Sequence, residues 1–158
     1  MKISLEINNK SQSPVAGAFL KNIFRETLEQ SGYVFLSGQK ISLSVALVSK
    51  GEIKKLNARW RKINKTTDVL SFSEYRNKGA LEKAVEKEVF LGELVMCYDE
   101  IAGYSKKNKL SAKKEIANVF SHGILHLLGL RHGGKMFGIQ DKVKKVLIKN
   151  SSIIYGQI

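Results

Sequence analysis

Three shortages narrow what this chain can be. A single cysteine among 158 residues rules out an internal disulfide and leaves too few thiolates for a closed structural zinc site. Acidic residues are scarce: 14 Asp plus Glu stand against 27 Lys plus Arg, a formal charge of +13, and that imbalance suits a polyanionic partner, nucleic acid foremost. Long apolar runs are missing too, and the longest falls well short of a membrane span. The start shows no basic segment, apolar stretch and cleavage site in succession; Met1 to Ile7 alternates like a strand. The expectation is an unprocessed cytoplasmic protein that makes no use of a membrane. With 43% hydrophobic residues, the chain can bury one ordinary core, so one domain spanning 1–158 is expected.

Histidine is the informative scarcity. The chain has three, all between His122 and His132 in the run HGILHLLGLRH. Residues four apart share a helical face, so His122 and His126 can point at one ion. Gly129 permits a helix end with positive φ, and the reversed backbone would carry His132 round as a third ligand. Three protein ligands leave a fourth position open. Zinc in such a site lowers the pKa of water to about 7, which is a hydrolytic arrangement more than a structural one. The spacing is shared with metallopeptidases that carry a glutamate after the first histidine as general base. Here that position is Gly123, which weakens a peptidase reading. RNA asks less of its catalyst, since cationic groups and a metal can manage the developing charge.

The basic residues cluster at Lys54, Lys55, Arg59, Arg61, Lys62 and Lys65, again from Lys106 to Lys114, and again from Lys142 to Lys149. Most read as solvated helix faces. Arg59 and Arg61 flank Trp60 among them, and a planar guanidinium at either position can hold phosphate with two hydrogen bonds. Cys97 reads as a small buried hydrophobe at a strand end.

Period-2 and helical patterns place strands at Ile3 to Ile7, Leu43 to Val48, Val69 to Phe72 and Val89 to Cys97. Helices are expected from Val15 to Gln30, closed by Gly32; from Glu52 to Lys62; from an N-cap at Ser111; and from Gly138 to Lys149 after a flexible Gly133–Gly134 link. Glu115 falls about two turns before His122 and could orient a ligand only through intermediates. The polar stretch Asn77 to Glu88 is read as an exposed loop or short helix. The expected class is α+β: a single domain with a small mixed sheet covered by helices and a metal-binding helix near the C-terminus.

Several separated segments resemble the YbeY endoribonucleases of bacteria, also called rRNA maturation factors. His122 to His132 matches that family's HGxLHLxGxxH run. Leu56 to Arg61 is similar to its LNxxYR block, Thr67 to Phe72 to TDVLSF, and Leu91 to Leu94 to LGDI. The anchors keep the family's order from about residue 40 onward. The resemblance implies a zinc-dependent, single-strand endoribonuclease that matures the 3′ end of small-subunit rRNA and serves ribosome quality control, with ribosomal particles and assembly factors as partners. Carried over by position, zinc falls to His122, His126 and His132, and the functionally important arginine to Arg61. Two positions depart from the pattern, Arg131 and Glu93, where the family usually has aspartate. The other classes compatible with the residues are a metal-dependent peptidase or amide hydrolase and a non-catalytic, zinc-stabilised ribosome-assembly protein.

Overall fold

The computed structural model describes residues 1–84 and 88–155, with side chains described as far as Asn150. In chain order the elements are β1 (Lys2–Asn9), α1 (Gly17–Ser31), a 3-10 turn (Val34–Leu36), β2 (Lys40–Leu47), α2 (Lys50–Arg61), β3 (Val69–Ser73), α3 (Lys78–Lys83), β4 (Glu88–Met96), α4 (Tyr98–Lys107), α5 (Ala112–Leu127) and α6 (Gly134–Tyr155). The four strands form one mixed sheet in the order β1-β2-β4-β3. β1, β2 and β4 run parallel, and β3 is antiparallel to β4. The α+β class and the helix-covered mixed sheet are as expected.

The sheet buries both faces, unequally. One face packs Ile41, Leu43, Val45 and Leu47 of β2 and Val89, Leu91, Leu94 and Met96 of β4 against α1, α5 and α6 in a continuous core. The other face closes Ala46, Val48, Leu70, Val95 and Cys97 under Ile53 of α2, with Leu56 and Phe72 at its edge. Cys97 is fully buried, and that burial pushes its thiol pKa up.

β4 could not serve both cores without a defect. Strict alternation puts residues 91 and 94 on opposite faces, yet Leu91 and Leu94 are both in the larger core. The pairing with β2 slips by one residue between Ser42 and Ser44, so two residues of β4 oppose one of β2, and this bulge resets the phase. Gly92 sits there with φ 133°. A Cβ at this position would collide with the Phe72 carbonyl oxygen, so only glycine lets β3 pair at this point.

The stretch Asn77 to Glu88 holds a short helix whose described residues are mostly exposed, as expected, with Leu81 the exception. α3 is capped by the Asn77 side chain, which accepts from the Ala80 N–H at 2.9 Å, and Leu81 is fully buried; residues 85–87 lie outside the described part. The final helix begins at Gly134, earlier than expected, so the flexible link reduces to Gly133. α4 carried no expectation. Its buried stripe includes Ser105, whose hydroxyl donates back to the Ile101 carbonyl at 2.8 Å, and that polar residue breaks the apolar period. No helix among the described residues is long and apolar enough to cross a membrane.

Candidate metal centre and cleft

α5 supplies two imidazoles. Ser111 caps it, accepting from the Lys114 N–H at 3.3 Å, and His122 and His126, one turn apart, bring their Nε2 atoms to 2.9 Å. Gly129 then ends the helix with φ 84°. Its N–H bonds the His126 carbonyl at 2.9 Å and the Leu130 N–H bonds the Leu125 carbonyl at 3.0 Å, the two bonds of a Schellman turn. Buried Leu130 seats the turn in the core, and the Tyr33 hydroxyl donates to the Leu128 carbonyl at 3.0 Å, satisfying an acceptor that the helix end leaves open. A side chain at position 129 would meet the Lys78 backbone nitrogen at 2.5 Å. Glycine is therefore required twice over, for its φ and for its size. The reversal brings the His132 ring to 4.8 Å from that of His122 and 4.7 Å from that of His126.

The three residues fit a transition metal. One donor atom from each lies within 4.8 Å of the others. Two nitrogens on one tetrahedral zinc stand about 3.3 Å apart when each Zn–N bond is about 2.0–2.1 Å, a spacing that small side-chain adjustments reach from 2.9 Å. Burial is the main cause that holds His122 below the ordinary histidine pKa, and His132 adds to it. His126 is lowered by burial first, then by His122, His132 and the charge of Arg61. Neutral imidazole is the form that binds metal.

The far sides of these rings are also held. Gln140 of α6 is buried, and its Nε2 donates to both the backbone carbonyl and Oδ1 of Asn118 at 3.1 Å. That anchoring leaves Oε1 buried without a well-formed hydrogen bond, on the side of His122, whose proton affinity the Gln140 amide raises. With Nε2 committed to a metal, the other ring nitrogen carries a hydrogen, and Gln140 Oε1 is placed to receive it. Asn118 in turn donates to Glu115 Oε1 at 3.4 Å. Asn118 and Gln140 are thus the intermediates through which Glu115 reaches a ligand. His126 is steadied by a hydrogen bond to the Leu130 backbone.

The histidines floor a cleft of about 840 Å³ between α5 and the outer edge of β3. Arg61, exposed at the end of α2, lines the same cleft and makes no ion pair with any described residue. Asp68 and Glu115 line it as well, and the Asp68 charge raises the proton affinity of His122. Just beyond the two ends of β3, the Asp68 backbone carbonyl accepts from the Cys97 N–H and the Glu74 N–H donates to the Leu91 carbonyl. Alternate residues therefore face β4, which leaves the backbone groups of Val69, Ser71 and Ser73 along the free edge.

Sequence reasoning missed Asp68, Asn118 and Gln140. Asp68 stood inside the quoted TDVLSF block; the other two gave no local signal. Gly123 proves to be a packing position, since a Cβ there would stand 2.9 Å from Leu94 Cδ2 and 3.5 Å from Val69 Cγ2. Glu93 lies away from the histidines, in a hollow on the α2 face, and Arg131 is exposed.

Fold and site together define an α+β protein built around a cleft whose three histidines could hold a metal ion. A family model described as endoribonuclease YbeY matches residues 6–147. An endoribonuclease YbeY of Caldicellulosiruptor bescii is 35% identical over 145 residues, covering 89% of this chain and 88% of the relative. Another, from Pelagibacter ubique, is 36% identical over 123 residues, covering 78% and 72%. A solution structure of a Thermotoga maritima protein aligns with TM-score 0.56 at 25% identity, covering 90% of this chain and 87% of that one. The chain belongs to the YbeY endoribonuclease family.

Proposed function

We propose that this protein is a zinc-dependent endoribonuclease that cuts single-stranded RNA, matures the 3′ end of small-subunit rRNA in the cytoplasm and takes part in ribosome quality control, with ribosomal particles and assembly factors as partners. The observation that carries the reading is the three-histidine floor of a cleft rimmed by an unpaired arginine, in a chain of charge +13.

His122, His126 and His132 would hold the ion, with His122 steadied by Gln140 and His126 by the Leu130 backbone. Zinc there supplies a Lewis acid for the phosphodiester and lowers the pKa of water. Arg61 grips the non-bridging phosphate oxygens and offsets the charge that grows on them. The free N–H groups of β3 offer further donors along the same wall. Asp68, the carboxylate whose charge reaches His122, is placed to accept or return a proton beside the scissile group.

A peptidase could lay an extended substrate along the free edge of β3, but Gly123 stands where that class keeps the carboxylate of its base. The deciding experiment is cleavage of an end-labelled small-subunit rRNA fragment by metal-stripped and zinc-restored protein, with His126→Ala in parallel. Zinc-dependent cutting that the variant loses is expected. Folded, zinc-loaded protein that leaves RNA intact, or His126→Ala that keeps its metal and full activity, would overturn the reading.

A further inference from the structure

Trp60 is the chain's one tryptophan, and 57% of it is exposed on α2. An indole is a large apolar side chain, and leaving it in water forgoes a substantial core contact. The small core beneath does not need it, because Leu56 and Phe72 already close that cluster. Its surroundings are specific. The Arg59 guanidinium carbon lies 5.2 Å from the ring centroid, and Phe72 meets the ring at 6.0 Å with an interplanar angle of 75°.

Phe72 lines both the metal cleft and the hollow of about 290 Å³ on the α2 face. Trp60 lines that hollow as well, so it stands on the rim between the two, one residue from Arg61. Arg59, Arg61 and Lys62, all exposed, adjoin it in sequence; of the two carboxylates in the hollow, Glu52 is paired with Lys10 and Glu93 lies on β4. An apolar protein surface would be poorly matched to these neighbouring cations. A strand of unpaired nucleotides offers both complements, phosphates for the cations and a flat π-face for the indole.

We propose that Trp60, backed by Arg59, is a base-stacking platform that holds an unpaired nucleotide next to the one whose phosphate lies at Arg61. This rests on the ribonuclease reading of the cleft and adds to it a second handle on the substrate outside the reacting centre. Stacking acts on the base whatever its identity, so the platform sets affinity and register, while sequence preference stays low.

The lone tryptophan reports on itself. Its fluorescence is followed while a five-nucleotide 2′-O-methyl RNA, or the same backbone lacking its bases, is titrated into the full-length zinc-loaded protein. The base-bearing strand is expected to quench strongly and the abasic strand weakly. Trp60→Ala, with affinity read by anisotropy of a labelled strand, should weaken base-bearing binding roughly 5- to 150-fold, the range for one lost stacking contact. Abasic binding should stay unchanged, and Trp60→Phe should recover most of the loss.

Equal quenching by the two strands overturns the proposal, and so does a Trp60→Ala loss that both strands share. The quenching comparison needs no variant, so it decides even if Trp60→Ala folds poorly. Base-selective quenching by a protein that cuts no RNA would keep the platform and remove the ribonuclease reading. Cleavage with an unchanged KM in Trp60→Ala would do the reverse.

Discussion

One face of the sheet carries α1, α5 and α6 over a continuous core; the other carries only the twelve residues of α2 over a small cluster. The site draws on both. The three candidate metal ligands come from the heavy face, where α5 is packed in the core and Gln140 sits beside His122. Arg61 and Trp60 come from the light face, on an exposed helix end. The division suggests that the heavy side sets where the ion sits and the light side sets how RNA is met, so damage to one should be separable from damage to the other.

The comparison breaks first, if it breaks, on paired core truncations. Phe120→Ala, in the heavy core, should cost about 3–5 kcal/mol and Ile53→Ala, under α2, about 2–4 kcal/mol. Denaturant titration gives both figures. Metal titration should then show affinity impaired in Phe120→Ala and preserved in folded Ile53→Ala. Equal loss of metal binding in both would mean that the faces are one unit.

Arg61→Ala sharpens the contrast further. It should keep zinc content and melting temperature while turnover on RNA falls about 10²- to 10³-fold, the scale for losing one donor to a developing charge; unchanged turnover would take Arg61 out of the reaction. The smallest effect belongs to Gln140→Leu. Competition with a chromophoric chelator should show metal affinity down about 10- to 100-fold, as for other groups that orient a ligand without touching the ion. Wild-type affinity would show that His122 orients itself.

The parts that could be read in the sequence are those whose causes are local. The histidine trio was visible because helical spacing and one left-handed glycine settle it within a single helix and its turn. Arg61 entered only through resemblance, since nothing near residue 61 says that β3 will dock antiparallel on β4 and bring the end of α2 to the cleft. Gln140 and Asn118 were invisible for the same reason: their bond joins two helices. Other misses were local signals passed over. Gly92 inside an apolar strand marks a bulge, and Leu81, alone among polar neighbours, was the residue anchoring α3. The end of α2 was nearly right; its left-handed cap is Lys62, with φ 60°, where glycine would have advertised the stop.

The turn at Gly129 also bears on how the protein comes into being. All three imidazoles belong to one helix and the loop that closes it, so they can gather loosely once that short segment folds, before Gln140 and the core fix their rings. Arg61 arrives only after β4 has paired in parallel with β2 and accepted β3, a long-range event that chain entropy makes slow. Refolding followed by metal uptake and by RNA cutting should therefore give two time courses, the first faster; a single shared course would refute this order. On the proposed function, capture would be local and competence topological: a chain with its sheet unfinished would carry an ion while still harmless to the RNA around it.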